Sequence, residues 1–540
     1  MFGLFGKKKE KKHIFSIKKP KHLIIITPAS NIRKTNIKYP LIEPFAYANI
    51  RWEQKRKSLV YYVLEPELNE KEKQTRKKIQ ESVSEIIDVK ISVIKNTDEA
   101  IKYILDKADK VIDELGIELS KKTYEKIMYY IIRDFVGLNE IEPLLRDPYI
   151  EDIGCTGLNT PVYIIHKKFG SLETNIVYTD FDMLSNFVIK IAERCGRYIS
   201  YATPLLDGSL PDGSRVQASL AKDVTTKGPT FSIRKFRRNP FSPIDLLNLK
   251  TVSLDMLAYI WMLIQYNTSV LICGGVSTGK TTMLNVLSMF IPRESKIISI
   301  EDTREINLPH ENWIPSVART GFGVPDSSGK RYGEVDLFDL LKESFRQNPD
   351  YVVVGEIRGK EAYVMFQGMA SGHPSLGTIH AGSVEDVMKR LETPPIELSP
   401  SLIESLDVVI VMTNAKEKGK SARRVKEVVE IQNIDQRTGT AHTKEIFVWI
   451  PSEDVFRETL SESEVLQRIS FQEGIPFQIL QKEMEERKKI LSWMQRKEIT
   501  DFDKVCEIIN LYYKDKKTLM NWVNKNKIPS FLKSSLAVNP

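Results

Sequence analysis

The chain has 540 residues, 41% of them hydrophobic, which is long for one core and implies about three or four domains. Its 79 basic and 71 acidic residues leave a net charge of +8. Five lysines, Lys7, Lys8, Lys9, Lys11 and Lys12, cluster at the start instead of forming basic stripes interleaved with aromatics, so no specific nucleic acid is expected as a partner.

Four cysteines, at positions 155, 195, 273 and 506, have no paired spacing. That argues against a zinc site or a disulfide framework and for a reducing cytoplasm. No segment reads as membrane-spanning, because the best candidate, residues 257–276, is interrupted by Gln265, Asn267, Thr268 and Ser269. No apolar stretch of signal-peptide type follows the basic cluster. The tail, residues 1–22, reads either as a solvated segment or as one that touches an anionic membrane surface. In the second case Phe2, Leu4 and Phe5 insert while the lysines meet head groups.

In chain order, residues 23–27 and 58–64 read as strands. Residues 69–80 are densely charged and helical in character. A helix starts at Thr97, with Ile101, Ile104, Leu105, Ala108 and Ile112 on one face, and Gly116 stops it. Another covers 120–135 and ends at Gly137. Residues 23–142 therefore form an N-terminal adaptor region with helices. From 143 to 238 short strands such as 162–165, a helix at 181–194 and turns at 204–208 and 211–213 suggest a small α+β domain. Residues 239–245 read as a linker. Alternating strands and helices over 246–450 predict an open, mainly parallel sheet. The extension, 451–540, is helical: residues 461–464 fit a capping box, and Ile479, Leu480, Met484, Ile490, Leu491 and Met494 recur at helical spacing.

Residues 274–281, GGVSTGKT, carry the most chemistry. They fit G-x-x-x-x-G-K-[ST], whose backbone N–H groups wrap a nucleotide's phosphates, with the lysine on the β/γ oxygens and the threonine hydroxyl on Mg²⁺. The nucleotide-binding set is Gly274, Gly275, Val276, Ser277, Thr278, Gly279, Lys280, Thr281 and Thr282. An apolar strand precedes the loop and a helix follows it, with Met283, Leu284, Leu287 and Phe290 at helical spacing. The helix N-terminus adds partial positive charge at the phosphates.

Two apolar strands then end in acids. Residues 296–302 close on Glu301 and Asp302, with Glu305 beyond, and 351–356 close on Glu356, followed by Arg358. Carboxylates at strand C-termini lie on the ligand edge of an α/β sheet, where one holds Mg²⁺ and another orients an attacking water. A third strand-like run, 376–379, ends at His380, with His373 upstream of it. An imidazole at that edge can sense the γ-phosphate.

Together, residues 274–281, IEDTRE at 300–305, NPDYVVVGEIR at 348–358, and Gly372, His373 and TIHA at 378–381 resemble the Walker A, Asp, Walker B and His boxes of the type II/type IV secretion ATPases. The resemblance runs from about residue 143 to the C-terminus. YIEDI at 149–153 and PDGSRV at 211–216 resemble the superfamily's PAS-like N-terminal domain, and RRVKEVVE at 423–430 looks like its archaeal branch. Thr303 and Arg304 replace the Pro-apolar pair usual in bacterial members, and the tetracysteine zinc insert is absent; both favour that branch.

The resemblance implies an α/β fold: a RecA-like P-loop NTPase domain, preceded by the small α+β domain and the adaptor region and followed by the helical extension. It implies ATP and Mg²⁺ as cofactors, with Lys280 and Thr281 on phosphates and metal. Glu305 polarises the attacking water, Glu356 organises Mg²⁺, His380 closes on the nucleotide with His373 as its partner, and Arg215 and Arg234 reach the triphosphate from the N-terminal side. A ring-forming motor is implied, a homohexamer at the cytoplasmic face of a membrane. Its partners are a polytopic platform protein and, indirectly, pilin subunits. The alternative is a RecA-like nucleic-acid translocase.

Overall fold

The computed structural model describes residues 15–17, 26, 31–88, 96–236, 240–319, 321, 330–417, 420–435 and 440–529. Most of the tail, the expected strand at 23–27 apart from Ile26, Asn239 of the linker and the last eleven residues of the extension lie outside them. The chain divides into two compact units that meet in sequence at Phe236 and Arg237.

The first unit opens with β1 (Asn36–Ile42), β2 (Ala46–Glu53) and β3 (Ser58–Leu64). Helices α1 (Glu70–Ile86), α2 (Thr97–Glu114), α3 (Lys121–Phe135) and the short α4 (Glu142–Arg146) follow. Then come β4 (Ile150–Cys155), β5 (Pro161–His166), β6 (Gly170–Val177), α5 (Phe181–Arg194), β7 (Leu205–Ser209), β8 (Arg215–Ser219) and β9 (Thr230–Arg234). Asn69 starts α1 by a capping box with Glu72, which satisfies two N–H groups that the first turn leaves open. The first three helices share their own core, including Ile79, Ile104, Ala108, Ile127 and Ile131.

All nine strands form one sheet, ordered β1-β2-β3-β6-β5-β4-β9-β8-β7. The expected division between 142 and 143 therefore crosses a continuous sheet. β3 joins β6 in parallel at Val60 and Tyr61, and the hydroxyls of Tyr39 and Tyr61 each donate to Asp147 Oδ2 at 2.6 Å. The sequence hid β1 and β2 for a physical reason: β1 contains Pro40, and two of the inward residues of β2 are Ala46 and Ala48, weak strand formers.

The second unit begins with α6 (Pro243–Asn248), α7 (Leu254–Gln265), β10 (Val270–Gly274), α8 (Lys280–Ser288), β11 (Ile297–Glu301) and β12 (Trp313–Val317). It continues with α9 (Leu337–Arg346), β13 (Tyr351–Ile357), α10 (Glu361–Ala370), β14 (Ser375–Ile379), α11 (Val384–Glu392) and α12 (Pro400–Ile403). Its last elements are β15 (Val408–Glu417), β16 (Lys420–Ile434), β17 (Ala441–Ile450), β18 (Val455–Glu458), α13 (Glu464–Glu473), α14 (Phe477–Arg496) and α15 (Phe502–Asn524).

Its sheet runs β12-β11-β13-β14-β10-β15-β16-β17-β18. The first six strands pair in parallel, and the last three form an antiparallel meander. The parallel strands are apolar on both faces, as a doubly covered sheet requires. Val270 and Ile272 pack with α7 and α8; Leu271 and Cys273 pack with α10 and α11 on the other side. This is the expected α/β architecture around a phosphate loop.

Residues beyond 450 are not an appendage. Leu480, Ile490, Trp493, Met494, Val505 and Ile508 belong to the same core as Trp261 and Phe290. The expected capping box at 461–464 is displaced: residues 460–462 form a 3₁₀ turn, and Ser463 caps α13 instead. Buried Glu430 explains the shift. It accepts from Ser463 Oγ at 2.5 Å and from the N–H of Glu464 at 2.9 Å and of Val465 at 3.3 Å, and a carboxylate there favours a helix N-terminus. Among the described residues no helix is long and apolar enough to cross a membrane.

Candidate functional site at the ends of the parallel strands

β10 ends at Gly274, where a Cβ would sit 2.6 Å from Thr278 Oγ1 and 2.7 Å from the Met412 carbonyl. Only glycine lets the loop turn so close to β15. At the loop's other end Gly279 has φ +94° and precedes the first residue of α8, a conformation side chains resist. Gly275, Val276 and Ser277 are exposed at the tip, while Thr281 and Thr282 are half-buried in the first turn of α8. The Thr278 hydroxyl closes the loop on the Gly275 carbonyl at 3.0 Å. These features form a cradle at a helix N-terminus, the setting in which backbone N–H groups bind phosphate.

Lys280 rises from the loop into the site. Its Nζ donates to the carbonyls of Gly274 and Gly275 at 3.2 and 2.9 Å and lies 3.3 Å from His380 Nδ1. Burial pulls the ammonium below the ordinary lysine range, against the raising effect of Glu356. His380 stands just past β14, with Nε2 3.2 Å from Glu356 Oε1. Burial and then the Lys280 charge lower the imidazole's proton affinity. Glu356, near the end of β13, also accepts from Arg358 at 2.5 Å. Burial pushes its carboxyl up, but Arg358, His380 and Lys280 together hold it below the usual range. Arg358 extends the chain of contacts to Asp302 at 3.1 Å.

The structure thus brings together Lys280, His380, Glu356 and Arg358, from three expected boxes. Hard oxygen donors at Thr281 and Glu356 suit Mg²⁺, which takes one or two protein ligands and completes its shell with phosphate and water. Among the described residues no cluster of three or more His, Cys, Asp or Glu residues could hold a metal by protein ligands alone.

Other expected members lie elsewhere. Glu305 follows β11 on the same edge, half-buried, and its side chain is not joined to these contacts. His373 does not partner His380. It precedes β14 while His380 follows it, so the two lie on the order of 20 Å apart at ~3.3 Å per residue. Its ring packs edge-on against Phe345 at 5.3 Å. The parallel strand explains the error, since only its C-terminal end reaches the ligand edge. Arg215 and Arg234 belong to the first unit, where they face each other across β8 and β9. Arg215 pairs there with Asp207 at 3.2 Å.

Two residues with no assigned role also shape this edge. Glu301, 2% exposed, accepts from the N–H groups of Glu305 and Ile306 with Oε1, both at 2.8 Å, and so fixes the turn that carries Glu305. Its Oε2 is buried without a partner among the described residues, and burial pushes the carboxyl up to about 7. Strand alternation held the signal: Glu301 shares a face with Ile297 and Ser299, both fully buried. Arg423, near the start of β16, donates from Nε to the Ser277 carbonyl at 3.0 Å. The pattern RRVKEVVE at 423–430 includes it but gives it no role, because strand pairing alone brings it to the loop.

Residues 138–500 match the family model described as type II/IV secretion system protein. An uncharacterized protein of Methanocaldococcus jannaschii is 34% identical over 505 residues, covering 89% of this chain and 90% of its own. The type IV secretion system protein PtlH of Bordetella pertussis is 31% identical over 276 residues, 45% of this chain and 79% of its own. Among solved structures, the VirB11 ATPase of the Brucella suis type IV secretion system is 24% identical, covering 53% of this chain and 92% of that one. Its TM-score is 0.27. The family model spans two thirds of the chain and the archaeal relative nearly all of it: the chain belongs to the type II/IV secretion system protein family.

Proposed function

We propose that the protein is a Mg²⁺-dependent ATPase that drives assembly of a type IV pilus-like filament. The observation that carries this reading is the meeting of Lys280, His380 and Glu356 through contacts of 3.3 and 3.2 Å at the mouth of the phosphate loop. Lys280 and the loop N–H groups bind the triphosphate, and Thr281 and Glu356 hold Mg²⁺. The metal supplies neutralisation of charge on the phosphate oxygens. Glu305, held by Glu301, orients the attacking water. His380 links the Glu356 carboxylate to the Lys280 ammonium, so a change at the phosphates is felt at β13 and β14. Arg215 and Arg234 neutralise developing charge on the triphosphate, a task suited to a permanently charged fork.

As a motor, the protein works as a homohexamer at the cytoplasmic face of a membrane. Residues 239–243 act as the hinge, a polytopic membrane protein as the platform, and pilin subunits as indirect partners. The family assignment supports secretion or pilus machinery over other uses of a phosphate loop. The test has two arms. Purified protein hydrolyses ATP only with Mg²⁺, and Lys280→Ala or Glu356→Ala abolishes turnover; full activity in either variant refutes the site. Crosslinking in membranes then captures a polytopic protein. Strong stimulation of turnover by single-stranded DNA at physiological salt, without such capture, favours a translocase instead.

A further inference from the structure

The phosphate loop has two flanks, because β10 lies between β14 and β15. Glu356 and His380 occupy the β13–β14 flank. On the β15 flank, Met412 pairs with Gly274, and Arg423 reaches in from β16, opposite Asn414. Its Nε donates to the Ser277 carbonyl at 3.0 Å, and its Cδ lies 3.4 Å from where a Cβ on Gly279 would be. Ser277 holds φ +59° without being glycine, a backbone state that persists only when surrounding contacts enforce it. The Arg423 bond is such a contact.

Bracing the loop uses one of five guanidinium N–H groups. Arg423 is an exposed residue, and no acidic group among the described residues pairs with it. An arginine held over a phosphate loop without a protein counter-charge calls for an anionic ligand, and its planar fork suits phosphate.

We infer that Arg423 is a nucleotide-binding residue, contacting the part of the nucleotide shared by ATP and ADP from the flank opposite the acids. This rests on the ATP site proposed above. It assigns Arg423 to affinity for both nucleotides, not to γ-phosphate chemistry, because the groups suited to that chemistry stand across the loop.

The test is calorimetric titration of the full chain, wild type and the variants Arg423→Ala and Arg423→Gln, with Mg-ADP and a slowly hydrolysed Mg-ATP analogue at low and high ionic strength. Both variants weaken both ligands by a similar factor, about ten- to a hundred-fold, as for loss of a hydrogen bond to a charged group. Their affinities respond less to salt than the wild type's. Unchanged affinity for ADP overturns the inference. So does weakened binding whose salt dependence equals the wild type's, which marks a brace of the loop only. Failure of the wild type to bind either nucleotide strikes the proposed site itself, leaving a result distinct from both.

Discussion

Glu301 offers the sharpest measurement, because its cost to the fold changes with pH. In the unfolded chain the carboxyl loses its proton near the ordinary value of 4.5, and in the folded one at about 7. Between those values the folded state carries the extra proton, so stability falls as pH rises through the window and levels off above it. At about 1.4 kcal/mol per pH unit, ionised Glu301 costs the fold about 3 kcal/mol. Glu301→Gln keeps an oxygen for the N–H groups of Glu305 and Ile306 and cannot ionise. The variant therefore gains on the wild type as pH rises. For a unit of this size, 3 kcal/mol corresponds to a Tm change on the order of 5 °C. The assay is thermal unfolding by circular dichroism at about pH 5 and about pH 8, reading the transition that Mg-ADP shifts upward. Taking variant minus wild type cancels the titration of distant groups. A difference, variant minus wild type, that is equal at both pH values or smaller at the higher one refutes the reasoning.

Two further substitutions test packing. A Cβ at Gly368 on α10 would lie 2.0 Å from Phe345 Cζ on α9. Gly368→Ala should therefore destabilise the second unit by about 1–3 kcal/mol despite alanine's better helix propensity; a Tm equal to or above that of the wild type contradicts this contact. Tyr61→Phe removes one of the two hydroxyls that donate to buried Asp147. The expected cost is about 1–3 kcal/mol, seen as a lower unfolding midpoint for the first unit with ATP turnover retained. An unchanged midpoint removes the Tyr39–Asp147–Tyr61 cluster from what secures β1 and β3 to α4.

Much of the second unit was legible because its signals are local. The strand before the loop, the loop and α8 sit next to one another in sequence, and apolar runs ending in Glu301, Glu356 and His380 announce strand ends. What eluded the sequence depends on register or on distant partners. β16 and β17 carry charged residues along an antiparallel meander, and their place follows only from pairing with β15. Arg423 enters the site through that pairing. The family resemblance implied His373 as the partner of His380, yet the length of β14 separates the two. Ser461 fits a helix start locally, but buried Glu430, 31 residues earlier in the numbering, moves the start to Ser463.

The packing of α14 and α15 on the face shared by α7 and α8 also bears on how the protein is made. When residues 243–301 leave the ribosome, the apolar side of α7, with Trp261 fully buried in the finished fold, still lacks its cover from Leu480 to Val523. At about 5–20 residues per second that cover arrives on the order of ten seconds later. Until then the nascent nucleotide fold presents an oily surface that invites chaperones. The strands of the first unit, all earlier in the chain, have already emerged by that time.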